Sequence, residues 1–564
     1  MRRYLVWPAA MIWPSTLPTC AFLRSLHESR EEDLANNISK WKISRLRLFL
    51  YIFIFSFTWY WFPGYIFPII SSLSFICAMN PTNVVFSQIT GVNGLGVGTV
   101  QLDWNSITAY LGSPIVVPLW AQLNILASFV LFCWIIIPAI YYTNTWGGKS
   151  FPIGSSNLYT SEGYLYNISC IADKNSRLNI TAYNIYGAGR MSIMLAVAYG
   201  VTFMALPSCV THVFLFFGRD ILRTFNTSIT STMNDVHTKL MAKYKDVPEW
   251  WYTILFSVNF VVACLVCHFG GLMTWYWMFL SVIIAFIFML PTGIIQALSN
   301  QQIELNLVSQ HIAGYLMNGD AKGNMTFKVY TYQIQAQALL LISNLKLGHY
   351  MKIPPRSMFT AQVIATIITC IVSLGFNNYL LRSIKNICAS NSVQWNCSQL
   401  QIYYTASVLW GLIGTTRQFL HNSVPYYNLF WFFPIGVFLP VIQWFFVKKF
   451  KAEWLRYVNV PIMCIVISNL LPAPAGNFPS WLFLGFVFNL FIKRYASVWW
   501  GRYAYVTSSA MDCGLAFSAL IIVVLQNNGM SFPNWWGITG YYDGHLCPLS
   551  YANYSGVIPS YKTT

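Results

Sequence analysis

Charge is what this sequence has least of. Of its 564 residues, 16 are Asp or Glu and 33 are Lys or Arg, 9% charged in all, where soluble domains carry about 25%. A chain this poor in charge cannot cover a water-facing surface, which excludes a soluble enzyme, a disordered protein and a nucleic-acid-binding domain. Catalytic motifs are missing too: there is no HExxH, no GxSxG and no paired acidic metal signature. The glycine-rich stretch Gly91, Gly94, Gly96 and Gly98 lacks the lysine and the following helix N-terminus that a phosphate cradle needs. No enzyme activity, cofactor or metal is therefore expected. The apolar start, broken by Pro8, Pro14 and Pro18, makes a poor signal-peptide core and reads as the middle of a membrane domain. What the chain has in abundance is apolar surface: 56% hydrophobic and 17% aromatic residues, with mean hydropathy +0.51. The fold class this predicts is all-α, a polytopic transmembrane helical bundle, because helices satisfy their own backbone groups in lipid.

Stretches of about 20 apolar residues mark candidate spans at roughly 46–79, 114–143, 191–218, 251–270, 275–298, 358–381, 426–447, 457–475, 480–498 and 503–525, with weaker, interrupted stretches near 5–23, 327–345 and 401–414. The formal charge of +17 is spread over connections between these stretches, such as Lys40 to Arg47, Lys239 to Lys245, Lys346 to Arg356 and Lys448 to Arg456. That is the positive-inside pattern of a membrane protein and not one basic stripe for nucleic acid. The glycosylation sequons at Asn167, Asn179, Asn396 and Asn553 all fall in the other loops, which predicts an outward-facing 144–190, 383–400 and tail 526–564 on a single transmembrane domain, 1–564. Counting sides then requires a hidden crossing within 46–113 and a 401–425 segment that turns back. Broken or re-entrant helices of this kind persist at membrane depth only where protein or a watery cavity covers them.

Thirteen cysteines are present. Most, Cys77 among them, lie in apolar runs and read as small buried residues. Cys388 and Cys397 share a short polar loop and are candidates for a disulfide if it faces an oxidising compartment.

Ionisable and amide groups at depth are the functional candidates. Asp512 lies midway along the last span and could carry a proton. Asn300, Gln301, Gln302, Glu304, Gln310 and His311 follow an apolar run with little charge among them, a composition suited to hydrogen bonding peptide-like groups. His212 reads as a residue snorkelling to the interface. A channel would favour repeated rings of charge or carbonyls from an oligomer, which one large asymmetric chain does not suggest.

At Leu347-Gly348-His349-Tyr350-Met351-Lys352-Ile353-Pro354-Pro355-Arg356 the sequence resembles the oligopeptide transporter (OPT) family, peptide-transporting branch. Trp61-Phe62-Pro63-Gly64-Tyr65, Asp103-Trp104, Tyr110-Leu111-Gly112-Ser113-Pro114, Tyr142-Thr143-Asn144-Thr145-Trp146, Asn300-Gln301-Gln302 and Trp410-Gly411-Leu412-Ile413-Gly414 extend the likeness in the same order over essentially the whole chain. The resemblance implies proton-coupled symport of small oligopeptides, glutathione-like ones included, across a plasma membrane, with peptide, protons and the lipid bilayer as partners. It adds Asp103, Lys352 and Arg356 to the candidate pathway. Metal chelates are the alternative cargo. Members of that family carry further amino-terminal spans with an Asn-Pro-Gly signature, so a non-transporting fragment is a further alternative.

Overall fold

A computed structural model describes residues 1–27, 43–80, 83–173, 177–226, 236–384, 387, 398–420, 425–470, 473–540 and 547. Helix dominates. The strands among these residues are two antiparallel two-residue ribbons, Leu73–Ser74 with Thr99–Val100 and Leu158–Tyr159 with Arg190–Met191. Among the described residues, eight helical segments are long and apolar enough to cross a membrane: α1 Arg45–Ile66, α2 Leu119–Tyr142, α3 Ile193–Arg223, α4 Glu249–Phe269, α5 Trp277–Ser299, α6 Pro355–Ser383, α7 Tyr426–Phe450 and α8 Ser497–Asn527. The protein is an integral membrane protein. α3 is buried along most of its length and forms the centre, whereas α4 and α6 are exposed on nearly every side, as helices facing lipid tails are.

The stretch 327–345 is not interrupted. It belongs to one 31-residue helix, Ala321–Met351, about 46 Å long at 1.5 Å per residue. Its hydropathy is low because it carries its polar groups inward: Thr331 donates to Ser281 Oγ (2.9 Å) and Gln335 Nε2 to Thr292 Oγ1 (2.9 Å), both on α5. Such side-chain bonds between helices replace the water that lipid cannot supply.

Two predicted spans are corrected. Helix Val460–Ser468 has nine residues and rises about 13 Å, under half of a hydrocarbon core of about 30 Å. Pro472 and Pro474 follow in sequence and lack the N–H that would continue it. The chain turns and descends through Asn477–Phe486 and Val487–Ile492, so 457–475 and 480–498 form one re-entrant hairpin. A second dip lies between α1 and α2. After helix Val84–Thr90, the Leu95 carbonyl accepts from Trp134 Nε1 (3.0 Å), well inside α2. The tips of the two dips meet, with Gly476 N–H donating to the Val92 carbonyl (3.1 Å). Gly96, at φ +66°, leaves so little room there that a Cβ would lie 2.6 Å from the Ala475 carbonyl carbon.

The rest of 46–113, where a hidden crossing is expected, is broken into short pieces, among them helix Trp104–Thr108. Residues 398–414 form helix Ser398–Ala406 and a wider turn ending at Gly414, φ +85°. That segment packs near the start of Ala321–Met351, where Asn324 Nδ2 donates to the Trp410 carbonyl (3.3 Å). Cys77 is not a lone buried thiol. It is disulfide-bonded to Cys547, and Trp535 Nε1, donating to the Ile66 carbonyl (2.8 Å) at the end of α1, holds the same tail to this part of the chain. His212 is buried instead of snorkelling, because Asn459 Nδ2 lies 3.2 Å from its Nε2 and Phe216 stacks on its ring.

Candidate functional site

α5 ends at Asn300, whose left-handed conformation (φ 64°) stops the helix. The chain then runs without helix to Leu305 before Asn306–Leu316 resumes. This break lies against Ala321–Met351, where Gln335 pins it through its Oε1, accepting from Leu305 N–H (3.1 Å), and its Nε2, donating to the Ile303 carbonyl (3.2 Å). Between the break, Ala321–Met351, residues 109–112 and the hairpin helix Val460–Ser468 lies a cavity of about 620 Å³. A smaller space of about 130 Å³, reaching Tyr199 and Gln310, shares Gln302, Glu304, Asn306 and Lys328 with it.

Of the sequence-predicted residues, the structure brings Asn300, Gln301, Gln302 and Glu304 together on the wall of the larger cavity, and Gln310 onto the smaller one. Gln301 Nε2 is occupied by the Leu111 carbonyl (3.2 Å). By contrast, Gln296 Oε1, Gln302 Nε2, Asn306 Oδ1 and Gln310 Oε1 are buried without a hydrogen-bond partner. Unmet polar atoms at depth are costly, and these belong to residues lining the two spaces. Glu304 accepts from Tyr332 OH (3.3 Å) and from Asn306 Nδ2 (3.0 Å).

Sequence reasoning missed Lys328. It lies inside the amphipathic helix, 5% exposed, with its ammonium 4.4 Å from the centroid of the Tyr403 ring. Lys328 stands in a stretch of low hydropathy, six residues after Lys322, and no motif marks it. Tyr332, Tyr403 and Asn469 complete this wall and likewise carry no sequence motif.

The other candidates lie elsewhere. Asp512 is exposed on the flank of α8 and accepts from Trp104 Nε1 (2.6 Å); it does not line either space. Asp103 caps helix Trp104–Thr108, accepting from Asn105 N–H (3.0 Å), Ser106 N–H (3.3 Å) and Ser106 Oγ (2.8 Å). Replacing Asp103 with Ala is expected to cost about 1 kcal/mol, read as a lower thermal midpoint of the detergent-solubilised protein. His311 sits in an aromatic box with Phe203, Tyr315, Trp410, Phe430 and Phe433, ring centroids 5.1–5.9 Å away. Lys352 contacts the His349 carbonyl (3.0 Å) and His237, and Arg356 donates to the Asp246 carbonyl (3.1 Å), both on the cation-rich side. Asn167 and Asn179 are exposed. Asn396, Asn553, Cys388 and Cys397 lie outside the described residues.

The site gathers hydrogen-bonding amides, one acid and one cation around an open volume. The family model for the OPT oligopeptide transporter protein matches residues 1–526. Oligopeptide transporter 7 of Arabidopsis thaliana is 40% identical over 97% of this chain and 71% of its own length. Oligopeptide transporters 1 and 5 of the same plant are 38% and 40% identical over 98% and 95% of the chain, and 74% and 72% of theirs. The chain belongs to the OPT oligopeptide transporter family and is a membrane transporter, not an enzyme.

Proposed function

We propose that the chain carries small oligopeptides across the plasma membrane together with protons, and that the cavity behind Asn300–Glu304 holds the peptide. The observation that carries this reading is the set of amide side chains, Gln296, Asn300, Gln301, Gln302 and Asn306, lining about 620 Å³ of space. A peptide backbone presents alternating N–H and C=O groups, the partners that amides take. The volume lies within the range of about 300–1,000 Å³ usual for small-molecule sites, and a tetrapeptide spans about 14 Å when extended. Glu304, the acid on the cavity wall, is the candidate proton carrier.

Proteoliposomes containing the purified chain, given labelled tetrapeptide and an imposed inward proton gradient, test this. Uptake is expected to rise with the gradient and to collapse with a protonophore. Uptake indifferent to the gradient would overturn the coupling, and no uptake under any gradient would overturn transport by this chain.

A further inference from the structure

We propose that Lys328 reads the free C-terminal carboxylate of the transported peptide. This rests on the cavity being the peptide site, but the assignment of Lys328 comes from its own surroundings. The ammonium is buried on the wall shared by both spaces, and its contact there is the face of Tyr403. Glu304 lies on the same wall, near enough for its charge to act on Lys328, but no salt-bridge contact joins the two among the described residues. Instead Glu304 is held by two neutral donors, Tyr332 and Asn306. A carboxylate at a distance compensates a buried cation only in part, and a ring face offers attraction without using its three N–H donors.

The deep cation is thus solvated by protein only in part, and the missing ligand is an anion small enough to enter with the solute. A peptide supplies one such group at its C-terminus. Carboxylate binding at Lys328 also leaves the neighbouring amides Gln302, Asn306 and Gln310 to the peptide bonds that follow. The substrate class this defines is peptides with a free α-carboxylate, and C-terminal amides or esters are discriminated against. Side chains are read weakly by this device, since its charge lies at the end of the backbone.

Binding to the purified full chain in nanodiscs, measured with tetra-alanine and with tetra-alanine C-terminal amide, tests the assignment. The native chain is expected to bind the acid roughly 10- to 100-fold more tightly than the amide, the range of a hydrogen bond to a charged group. In Lys328→Gln the two ligands are expected to bind within about twofold of each other. Lys328→Arg is expected to restore most of the preference, which also shows that the site tolerates change at this position. Equal affinity of acid and amide for the native chain, a comparison that needs no variant, would overturn the assignment. So would a preference that survives unchanged in Lys328→Gln. Failure of both ligands to bind the native chain would overturn the reading of the cavity itself, and with it the role of Lys328.

Discussion

Glu304→Gln is expected to abolish accumulation of peptide against its gradient while peptide exchange between equal concentrations continues. The glutamine keeps the shape and one acceptor for Tyr332 and Asn306, whose bonds now hold the carboxylate, but it cannot take up and release a proton. With an inward gradient of one pH unit, each coupled proton supports up to about tenfold accumulation, the equivalent of about 1.4 kcal/mol. The variant's accumulation ratio is therefore expected to fall to one in the proteoliposome assay at every imposed gradient. Concentrative uptake at the native level would show that another group carries the proton, with Asp512 the next acid at membrane depth.

Gly96→Ala is expected to destabilise the fold far more than the same change at Gly147. Both glycines adopt left-handed backbone, φ +66° and +71°, so both substitutions incur the conformational strain of about 1 kcal/mol or more that an L side chain meets there. The difference lies in what surrounds them. A Cβ on Gly147 meets nothing within 4 Å, whereas on Gly96 it would press on the backbone of Ala475 and Gly476. Backbone cannot rotate away as a side chain can, so the two re-entrant tips must separate, at an overpacking cost of about 1–3 kcal/mol more. Thermal unfolding of the two variants side by side measures the gap. Equal midpoints would mean that the tips do not bear on each other.

How much of this could be read in advance follows from what sequence records and what it does not. Apolar run length records depth, so the eight spans were legible, as was the hydrogen-bonding character of 296–311. The turn-back expected at 401–425 rests on charge and sequons alone, and residues 421–424 lie outside the described ones. Azimuth is different. Asp512 lies midway along α8, but each residue turns about 100° around a helix, and the face it occupies depends on which neighbours pack there. The structure sets it beside Trp104 on an exposed flank. The site's other half was invisible for a related reason. Lys328 and Tyr332 come from a helix whose low hydropathy made it look interrupted, and Tyr403 comes from a segment some 70 residues further on. Only folding brings them opposite Glu304. The Cys77–Cys547 bond spans 470 positions, a pairing that spacing does not encode.

The central claim is that peptide occupies the space behind Asn300–Glu304. A tetrapeptide bearing a diazirine, photolysed with the full chain in membranes and mapped by mass spectrometry, tests it most directly. Adducts are expected on 300–306, on 328–337 and on Ile402 and Tyr403, and excess unlabelled tetrapeptide is expected to suppress them. Competable adducts confined to other parts of the chain, with these three segments unmarked, would contradict the account.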